Sequence, residues 1–280
     1  MTRVLAVLGK GVVDPETPIL PADDLGVLRG DGVFETMHLR PDGPWLFDAH
    51  LDRMERSAAR MDVPLPPRAA LVELAALARA EWPDGAEGAL RLVCTRGTET
   101  GGPVTCYATL NPIPAEFQRQ RREGLRIATA TLGVSSQVRG DAPWLLGGVK
   151  SISYGVNMAS QRWAARQGLD DVLWVSADGY ALEAPTSTLL WLDGDVFCTV
   201  PTSTGILPGT TGRHLLDHAH ELGWRAEERM IRPTELESTD GAWLVSSARG
   251  VAAIKELDSA KLPESQHHTQ LQQLGGFPSA

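Results

Sequence analysis

The stretch Gly147-Gly148-Val149-Lys150-Ser151-Ile152-Ser153-Tyr154 carries one lysine at its centre. Downstream of it, Val156, Ala159 and Trp163 recur at helical spacing, which predicts that Lys150 lies between a loop and the start of an amphipathic helix. Flanked there by small residues and hydroxyls, the amine could be partly desolvated, as a Schiff-base lysine must be to lose its proton and attack an aldehyde. The alternative is a solvent-exposed lysine near a helix start.

The composition indicates a soluble globular protein. The chain has 280 residues, of which 42% are hydrophobic and 22% charged, enough for one large or two ordinary domains. The formal net charge of -9 argues against binding to the nucleic-acid backbone. Neither a signal peptide nor an eighteen-residue apolar run is found, so no membrane association is predicted. Three widely spaced cysteines suggest neither a disulfide framework nor a metal site and fit a reducing cytoplasm.

Apolar periods and turn signals divide the chain into two domains. A smaller α/β domain is predicted over residues 1–115, followed by an interdomain linker over 116–124, where the apolar period lapses after two prolines. A larger domain is predicted over 125–262. The Gln/His-rich residues 263–280 are predicted to be a disordered tail.

Short turns between apolar runs predict hairpins. Pro41-Asp42-Gly43 leads from one predicted strand into Trp45-Leu46-Phe47, and the larger domain has such turns at Asp178-Gly179 and Asp193-Gly194. These hairpins predict that its sheet is mixed and largely antiparallel.

Two sets of polar residues could bind an anion. Gly209-Thr210-Thr211 precede a predicted helix, where backbone N–H groups, hydroxyls and the helix dipole meet the requirements of a phosphate site. Ser246 and Ser247, at the end of a predicted strand, could donate further hydroxyls to the same anion. The alternatives are an ordinary threonine N-cap and solvent-facing serines in a turn.

Two charged residues, Glu183 and Arg53, could also belong to a ligand-binding site. Glu183 ends a strand in an apolar hairpin, where a carboxylate could pair with a cationic ring nitrogen; otherwise it is an edge-strand charge. Arg53 shares a predicted helix face with His50 and could donate two N–H groups to a phosphate. The alternative is a surface ion pair with Asp52 or Glu55.

The combination of these features resembles the class IV aminotransferase family of pyridoxal-phosphate enzymes, or fold type IV. That family includes branched-chain and D-amino-acid aminotransferases and 4-amino-4-deoxychorismate lyases. The segments that carry the resemblance occur in the family's order: 30–36 (GDGVFET), 50–54 (HLDRM), the Lys150 stretch, and 183–188 (EAPTST) with 207–213 (LPGTTGR). It implies an α/β (α+β) fold of two domains with the cofactor between them, and a homodimer.

The resemblance also implies roles for matching residues. Lys150 would hold pyridoxal 5′-phosphate and then act as the base and acid that moves the substrate proton, and Glu183 would keep the pyridine nitrogen protonated. Tyr154, four residues after the lysine and so on the same helical side, would lie near the ring oxygen of the cofactor, or else pack in the core. The implied phosphate ligands are Arg53, Thr210, Thr211 and Ser247.

Within the family, segments 91–97 and 141–146 are most similar to lyases. The predicted reaction is elimination of pyruvate from 4-amino-4-deoxychorismate to give 4-aminobenzoate, a step of folate biosynthesis. Thr36, on the strand that faces the cofactor in this family, is the candidate for proton delivery to the leaving group, or else a half-buried strand threonine. Arginines in loops expected near the site, which could bind substrate carboxylates or be merely solvent-exposed, are Arg29, Arg96 and Arg139.

Two alternatives stay open. Ser153 stands where the best-known lyases carry Asn, and this departure, together with Glu35 and Tyr154, keeps open an aminotransferase that acts on branched-chain or D-amino acids with a 2-oxo acid acceptor. The second alternative is a cofactor-binding protein without turnover. The presence of both Lys150 and Glu183 argues against it, because holding the aldehyde needs only the lysine.

Overall fold

Two β-sheets organise the chain into two units. The structure is a computed structural model and describes residues 3–83 and 85–277. The first unit contains the described residues up to Pro114 and also Val149–Tyr154, and the second contains Ala115–Gly148 and the described residues from Gly155 onward. The predicted larger domain therefore loses the Lys150 segment to the first unit. The domains were predicted as continuous stretches of the chain, and no local sequence pattern indicates the pairing of Ser151 with Val33.

The first unit is an antiparallel sheet with helices on one face. Its strands follow the order β2-β1-β6-β5-β3-β4, and each neighbouring pair is antiparallel. The strands are β1 (Val4–Val7), β2 (Gly11–Val13), β3 (Gly32–Arg40), β4 (Gly43–Pro44), β5 (Gly88–Thr95) and β6 (Cys106–Pro112). The helices are α1 (Leu25–Arg29), α2 (Phe47–Arg60) and α3 (Arg68–Ala80).

The side chains of β3 alternate between the two faces of the sheet, with the two-residue period of a strand. Val33, Met37 and Leu39 are buried in the core that the sheet forms with α2 and α3. Phe34 and Thr36 alternate with them and are half-buried. The side of β3 that carries Phe34 and Thr36 is thus available for a site, and the side that carries Val33 and Met37 packs on the helices.

The predicted hairpin after β3 is present, with Leu39 opposite Pro44 and Arg40 opposite Gly43. Its second strand is shorter than predicted. The expectation of a strand over Trp45-Leu46-Phe47 was wrong, because Leu46 adopts a positive φ of 53° and α2 begins at Phe47. Helix α2 thus begins within the segment predicted as a strand, and it buries its apolar face against the sheet.

The second unit contains a mixed sheet in the order β11-β10-β9-β12-β13-β7-β8, with β14 paired to β13. Strands β10 and β11, β13 and β7, and β7 and β8 pair in parallel, and the remaining pairs are antiparallel. The strands are β7 (Leu125–Thr131), β8 (Asp171–Val175), β9 (Thr188–Asp193), β10 (Val196–Thr199), β11 (Arg225–Glu228), β12 (Gly241–Ser246), β13 (Gly250–Leu257) and β14 (Ala260–Lys261). The mixed sheet confirms the predicted fold class.

Helices surround this sheet: α4 (Ala115–Glu123), α5 (Val138–Asp141), α6 (Gly155–Arg166), α7 (Thr210–Asp217) and α8 (His268–Leu274). Both predicted hairpins are found. Asp193 pairs with Val196 across one, and in the other Trp174 donates its backbone N–H to the Glu183 carbonyl at 2.9 Å. None of the described helices is long and apolar enough to cross a membrane.

Two predictions for the larger unit need correction. Residues 116–124, the predicted linker, lie almost entirely in α4, whose buried side chains are the polar Gln120 and Arg121. The apolar period lapses there because polar side chains occupy the buried face, where Arg121 donates to two backbone carbonyls. The predicted disordered tail forms α8 and buries Leu271 and Phe277 completely. Residues 278–280 of that tail lie outside the described residues.

Candidate active site

Lys150 lies on an extended segment beside β3. The backbone N–H of Phe34 donates to the Lys150 carbonyl at 3.1 Å, and that of Ile152 donates to the Gly32 carbonyl at 2.9 Å. The N–H of Lys150 itself donates to Ser57 Oγ at 3.1 Å. Bonds on both sides therefore hold the backbone of the lysine against β3 and α2, before α6 begins at Gly155.

The amine of Lys150 lies in an aromatic corner. Its Nζ is 3.2 Å from Tyr154 Oη and 4.5 Å from the centroid of the Phe34 ring. The Phe34 and Tyr154 rings meet edge to face at 5.0 Å. Tyr154 precedes α6, so a shared helical side is not what brings it to the lysine. A tight turn does, in which the Tyr154 N–H donates to the Ile152 carbonyl at 2.8 Å.

The same side of β3 carries a polar pair. Thr36 Oγ1 accepts a hydrogen bond from Arg91 Nε at 3.2 Å, and Arg91 stands directly opposite Thr36 on β5. The Arg91 guanidinium carbon is 5.7 Å from the centroid of the Phe34 ring, the ring that also contacts Lys150. Within residues 3–83 and 85–277, no carboxylate lies at ion-pair distance from Arg91. A cation without a carboxylate partner therefore lies at the Phe34 ring, which Lys150 also contacts.

Sequence reasoning gave Arg91 no role. The signal that could have found it is the strand register, since an arginine placed opposite Thr36 must share its face of the sheet. That register is fixed by pairing of strands far apart in the chain, and the sequence pattern alone did not give it.

The opposite face of β3 holds a buried charged cluster. Glu35 Oε1 accepts from Arg53 Nε and Oε2 from Arg53 Nη2, both at 2.7 Å, and His50 Nδ1 is 2.6 Å from Oε2. Burial by itself raises the pKa of Glu35, but the charge and hydrogen bonds of Arg53 and His50 outweigh it and lower the pKa to about 2. Burial lowers the pKa of His50, which favours a neutral ring that donates Nδ1–H to Glu35.

Arg53 thus meets a carboxylate within its own unit. The surface ion pair considered as its alternative is not what forms, because the guanidinium is buried and bidentate. Its predicted role as a phosphate ligand stays a prediction.

Two of the predicted substrate arginines bind acidic residues of the first unit. Arg29 lies 3.5 Å from Glu99 at an exposed position. Arg96 donates to Asp31 at 2.6 Å and to the backbone carbonyls of Met61 and Asp62. Hydrogen bonds to Asp31 raise the pKa of Arg96. Contact of either arginine with a substrate stays a prediction.

Glu183 is buried in the second unit, at 6% exposure, so it is not a solvated edge charge. Its Oε1 accepts from Arg139 Nη1 at 3.2 Å and its Oε2 from the Leu207 N–H at 3.0 Å. The hairpin with β8 fixes its backbone. Arg139, predicted to bind substrate, is therefore a partner of Glu183, which accepts one charged and one backbone hydrogen bond at a sheltered position.

Buried hydroxyls meet at the start of α7. Thr210 and Thr211 open the helix, and Thr211 Oγ1 is 3.3 Å from Ser247 Oγ, which follows β12. The N-cap is Gly209, so no side chain of that residue covers the first-turn N–H groups. A Cβ at Gly209 would come within 2.2 Å of Thr188 Oγ1, which requires a glycine. Hydroxyls and a helix N-terminus together suit a phosphate.

Comparison with known proteins agrees with this chemistry. The family model described as amino-transferase class IV matches residues 32–257. A bifunctional aminodeoxychorismate lyase / D-amino acid transaminase from Mycobacterium tuberculosis is 39% identical over 271 residues, covering 94% of each chain.

Two solved structures share the fold. The PLP-bound form of a hypothetical aminotransferase from Mycobacterium tuberculosis superposes with a TM-score of 0.93 at 37% identity, over 98% of this chain and 97% of that one. The 4-amino-4-deoxychorismate lyase of Pseudomonas aeruginosa superposes with a TM-score of 0.77 at 25% identity, over 92% and 94%.

Proposed function

Because the chain belongs to the class IV aminotransferase family, and is therefore a pyridoxal 5′-phosphate enzyme, we propose that it is a 4-amino-4-deoxychorismate lyase. The reaction removes a ring proton and breaks the bond to the enolpyruvyl oxygen, giving 4-aminobenzoate and, after protonation, pyruvate. The observation that carries the proposal is the cation of Arg91 beside Thr36 and the Lys150 corner, because the substrate is dianionic. Family membership confirms the predicted resemblance.

The residues present fit the cofactor part by part. The amine of Lys150 would carry it, and the buried carboxylate of Glu183 would keep its ring nitrogen protonated. The hydroxyls of Thr210, Thr211 and Ser247 would hold its phosphate. The close approach that excludes a side chain at Gly209 supports an anion cradle there. When bound, the cofactor supplies an electron sink for the carbanion left after proton removal.

Two proton transfers would be carried out by side chains of the protein, one by Lys150 and the other by Thr36. Lys150 Nζ would take the ring proton, and Tyr154 Oη at 3.2 Å would orient the amine for it. Thr36 would deliver a proton to the leaving group. Its oxygen accepts from Arg91 Nε, so its own hydrogen points away from Arg91 and can be donated.

Arg91 would then hold a substrate carboxylate. A guanidinium presents five donors, and one of them is used by Thr36, so a fork toward an incoming carboxylate remains. Arg29, Arg96 and Arg139 each already face an acidic side chain, which makes Arg91 the better candidate. Sharing the Phe34 ring with Lys150 would place that carboxylate close to the reacting carbon.

We expect Arg91→Gln to raise KM for 4-amino-4-deoxychorismate by about 10- to 100-fold, the effect of losing a charge-assisted hydrogen bond. The affinity for the cofactor should not change. Steady-state kinetics at saturating cofactor measure this, with Arg126→Gln as the control, since Arg126 is an exposed strand arginine. An unchanged KM would remove Arg91 from substrate binding.

The alternative function is transfer of an amino group from a D-amino acid or a branched-chain amino acid to a 2-oxo acid. The bifunctional name of the Mycobacterium tuberculosis relative supports it directly for D-amino acids. Both activities need the same lysine, carboxylate and phosphate cradle. The two activities differ in the substrate that must approach Thr36 and Arg91. The lyase binds a ring that loses its enolpyruvyl group, and the aminotransferase binds an amino acid and then a 2-oxo acid.

The assay that tests the proposal runs two incubations in parallel. One contains 4-amino-4-deoxychorismate alone, and the other an amino acid with 2-oxoglutarate. Formation of 4-aminobenzoate without added keto acid is the expected result. Turnover that depends on the keto acid, with ping-pong kinetics, would replace the lyase by an aminotransferase. Cofactor binding with neither turnover would select the second alternative, a cofactor-binding protein without turnover.

The remaining parts of the proposal have separate grounds. A small-molecule substrate follows from family membership. The homodimer is implied by the resemblance, and the cytoplasm is inferred from the three widely spaced cysteines. The net charge of -9 argues against a nucleic-acid partner.

A further inference from the structure

The turn between β12 and β13, residues 247–250, is here called the Ser247 turn. Two of its backbone carbonyls accept hydrogen bonds from a single side chain of α4. Arg121 donates from Nε to the Arg249 carbonyl at 2.6 Å and from Nη2 to the Ala248 carbonyl at 2.8 Å. Arg121 is buried. Because donors with a charge make the stronger hydrogen bonds, Arg121 fixes the path of this turn.

The C-terminal segment, residues 263–277, contacts Arg121 both at its backbone carbonyl and at its guanidinium group. The Arg121 carbonyl accepts from Gln272 Nε2 at 2.9 Å and from His268 Nε2 at 3.2 Å. His268 Nδ1 accepts from Trp243 Nε1 at 3.1 Å, so the hydrogen of the neutral ring is on Nε2. The ring of Phe277 lies 5.0 Å from the guanidinium carbon of Arg121.

Phe277 also contacts the turn itself. A Cβ on Gly250 would come within 2.8 Å of Phe277 Cδ1 and 2.9 Å of Arg121 Nε, and Gly250 has a φ of +79°. Only glycine fits this approach without strain. The C-terminal segment, Arg121 and the Ser247 turn therefore form one close-packed contact inside the second unit.

This contact holds the Ser247 turn from the side of α4, and the buried ion pair of Arg249 with Asp171 at 2.6 Å holds it from the side of β8. The Ser247 hydroxyl is 3.3 Å from that of Thr211, and two hydroxyls bind one anion well only if both are held in place before the anion arrives. A turn that moves freely in the apo-protein would have to be ordered during binding, which costs affinity.

We propose that the C-terminal segment is a brace for the cofactor phosphate: through Arg121, the positioning residue, it holds the Ser247 turn in its binding shape. The inference rests on the placement of the phosphate at Thr210, Thr211 and Ser247 made under the proposed function. The proposal assigns a role to residues 263–277, a part of the chain whose composition predicts disorder.

The test compares pyridoxal 5′-phosphate with pyridoxal, which lacks the phosphate. Dissociation constants of both are measured by absorbance titration of apo-protein, together with the unfolding midpoint of each variant. Phe277→Ala should weaken binding of the phosphorylated form by about tenfold or more, the loss of one to two hydrogen bonds. Binding of pyridoxal should keep its wild-type value. Phe277→Leu, which keeps most of the apolar volume, should give a smaller effect of the same kind if the alanine variant does not fold.

The matched control is Gln273→Ala, an exposed residue on the same helix α8, which should change neither constant. A parallel loss of affinity for both ligands in Phe277→Ala, or a lower unfolding midpoint with unchanged affinities, would overturn the brace. If the wild-type protein itself prefers the phosphorylated form no more than pyridoxal, the phosphate placement fails instead, and the two outcomes are distinguishable.

Discussion

Replacement of Lys150 by alanine is expected to lower the turnover number by about 10⁴-fold or more in either proposed reaction, because it removes both covalent attachment and proton transfer. Among the described residues that contact the Phe34 ring or Tyr154 Oη, Lys150 supplies the amine. Arg91, the other cation near that ring, carries a guanidinium that presents only hydrogen-bond donors and cannot accept the proton. Steady-state and single-turnover rates at saturating cofactor measure the loss.

The control for this variant is Lys261→Ala, an exposed lysine on β14. Borohydride reduction of the holo-protein should add the cofactor's mass to the peptide containing Lys150 in the wild type and in the control, and leave no such label in Lys150→Ala. A label on another lysine, or an alanine variant with near-normal turnover, would refute the assignment of Lys150. Circular dichroism shows whether the variant is folded.

Much of this architecture can be predicted from local sequence. Strand β3 follows from alternating apolar residues, the start of α7 from Gly209 before two threonines, and the hairpin at Asp193-Gly194 from its turn residues. In each case neighbours in the chain are also neighbours in space, so the pattern contains the information.

Other features depend on contacts between residues far apart in the chain. Val33 pairs with Ser151, which moves the Lys150 segment into the first unit, and no local pattern encodes that bridge. The opposition of Thr36 and Arg91 depends on strand register. Helix α4 and the C-terminal segment were predicted as linker and disorder because few of their residues are apolar. Their burial depends on hydrogen bonds of Arg121 and Gln272 and on Leu271 and Phe277, which contact residues far away in the chain.

Glu35→Gln is expected to lower the free energy of unfolding by about 3–5 kcal/mol at neutral pH, the cost of breaking one partner of a buried ion pair. Glutamine nearly keeps the shape of Glu35 but removes the charge that compensates Arg53, which is 4% exposed. It also turns an N–H₂ group toward a guanidinium that offers only donors. Urea unfolding of the apo-protein measures the change.

The matched control is Asp217→Asn, which neutralises the carboxylate of the exposed pair with Arg213 on α7 and should cost at most about 1 kcal/mol. The double variant Glu35→Leu with Arg53→Met should cost less than the sum of its single changes, because no unpaired charge is left buried. Additive losses would show that the two side chains act independently and would contradict the coupling.

The pH dependence separates the charge of Glu35 from its packing. Burial favours the neutral acid, but Arg53 and His50 hold the folded-state pKa at about 2, below the ordinary value of 4.5. Because the folded pKa is depressed, the stabilisation is fully present above pH 4.5 and is lost as the pH falls from 4.5 towards 2. The difference in unfolding free energy between wild type and Glu35→Gln should therefore shrink across that window. A difference that persists unchanged to about pH 3 would mean that the variant had lost packing and not a charge.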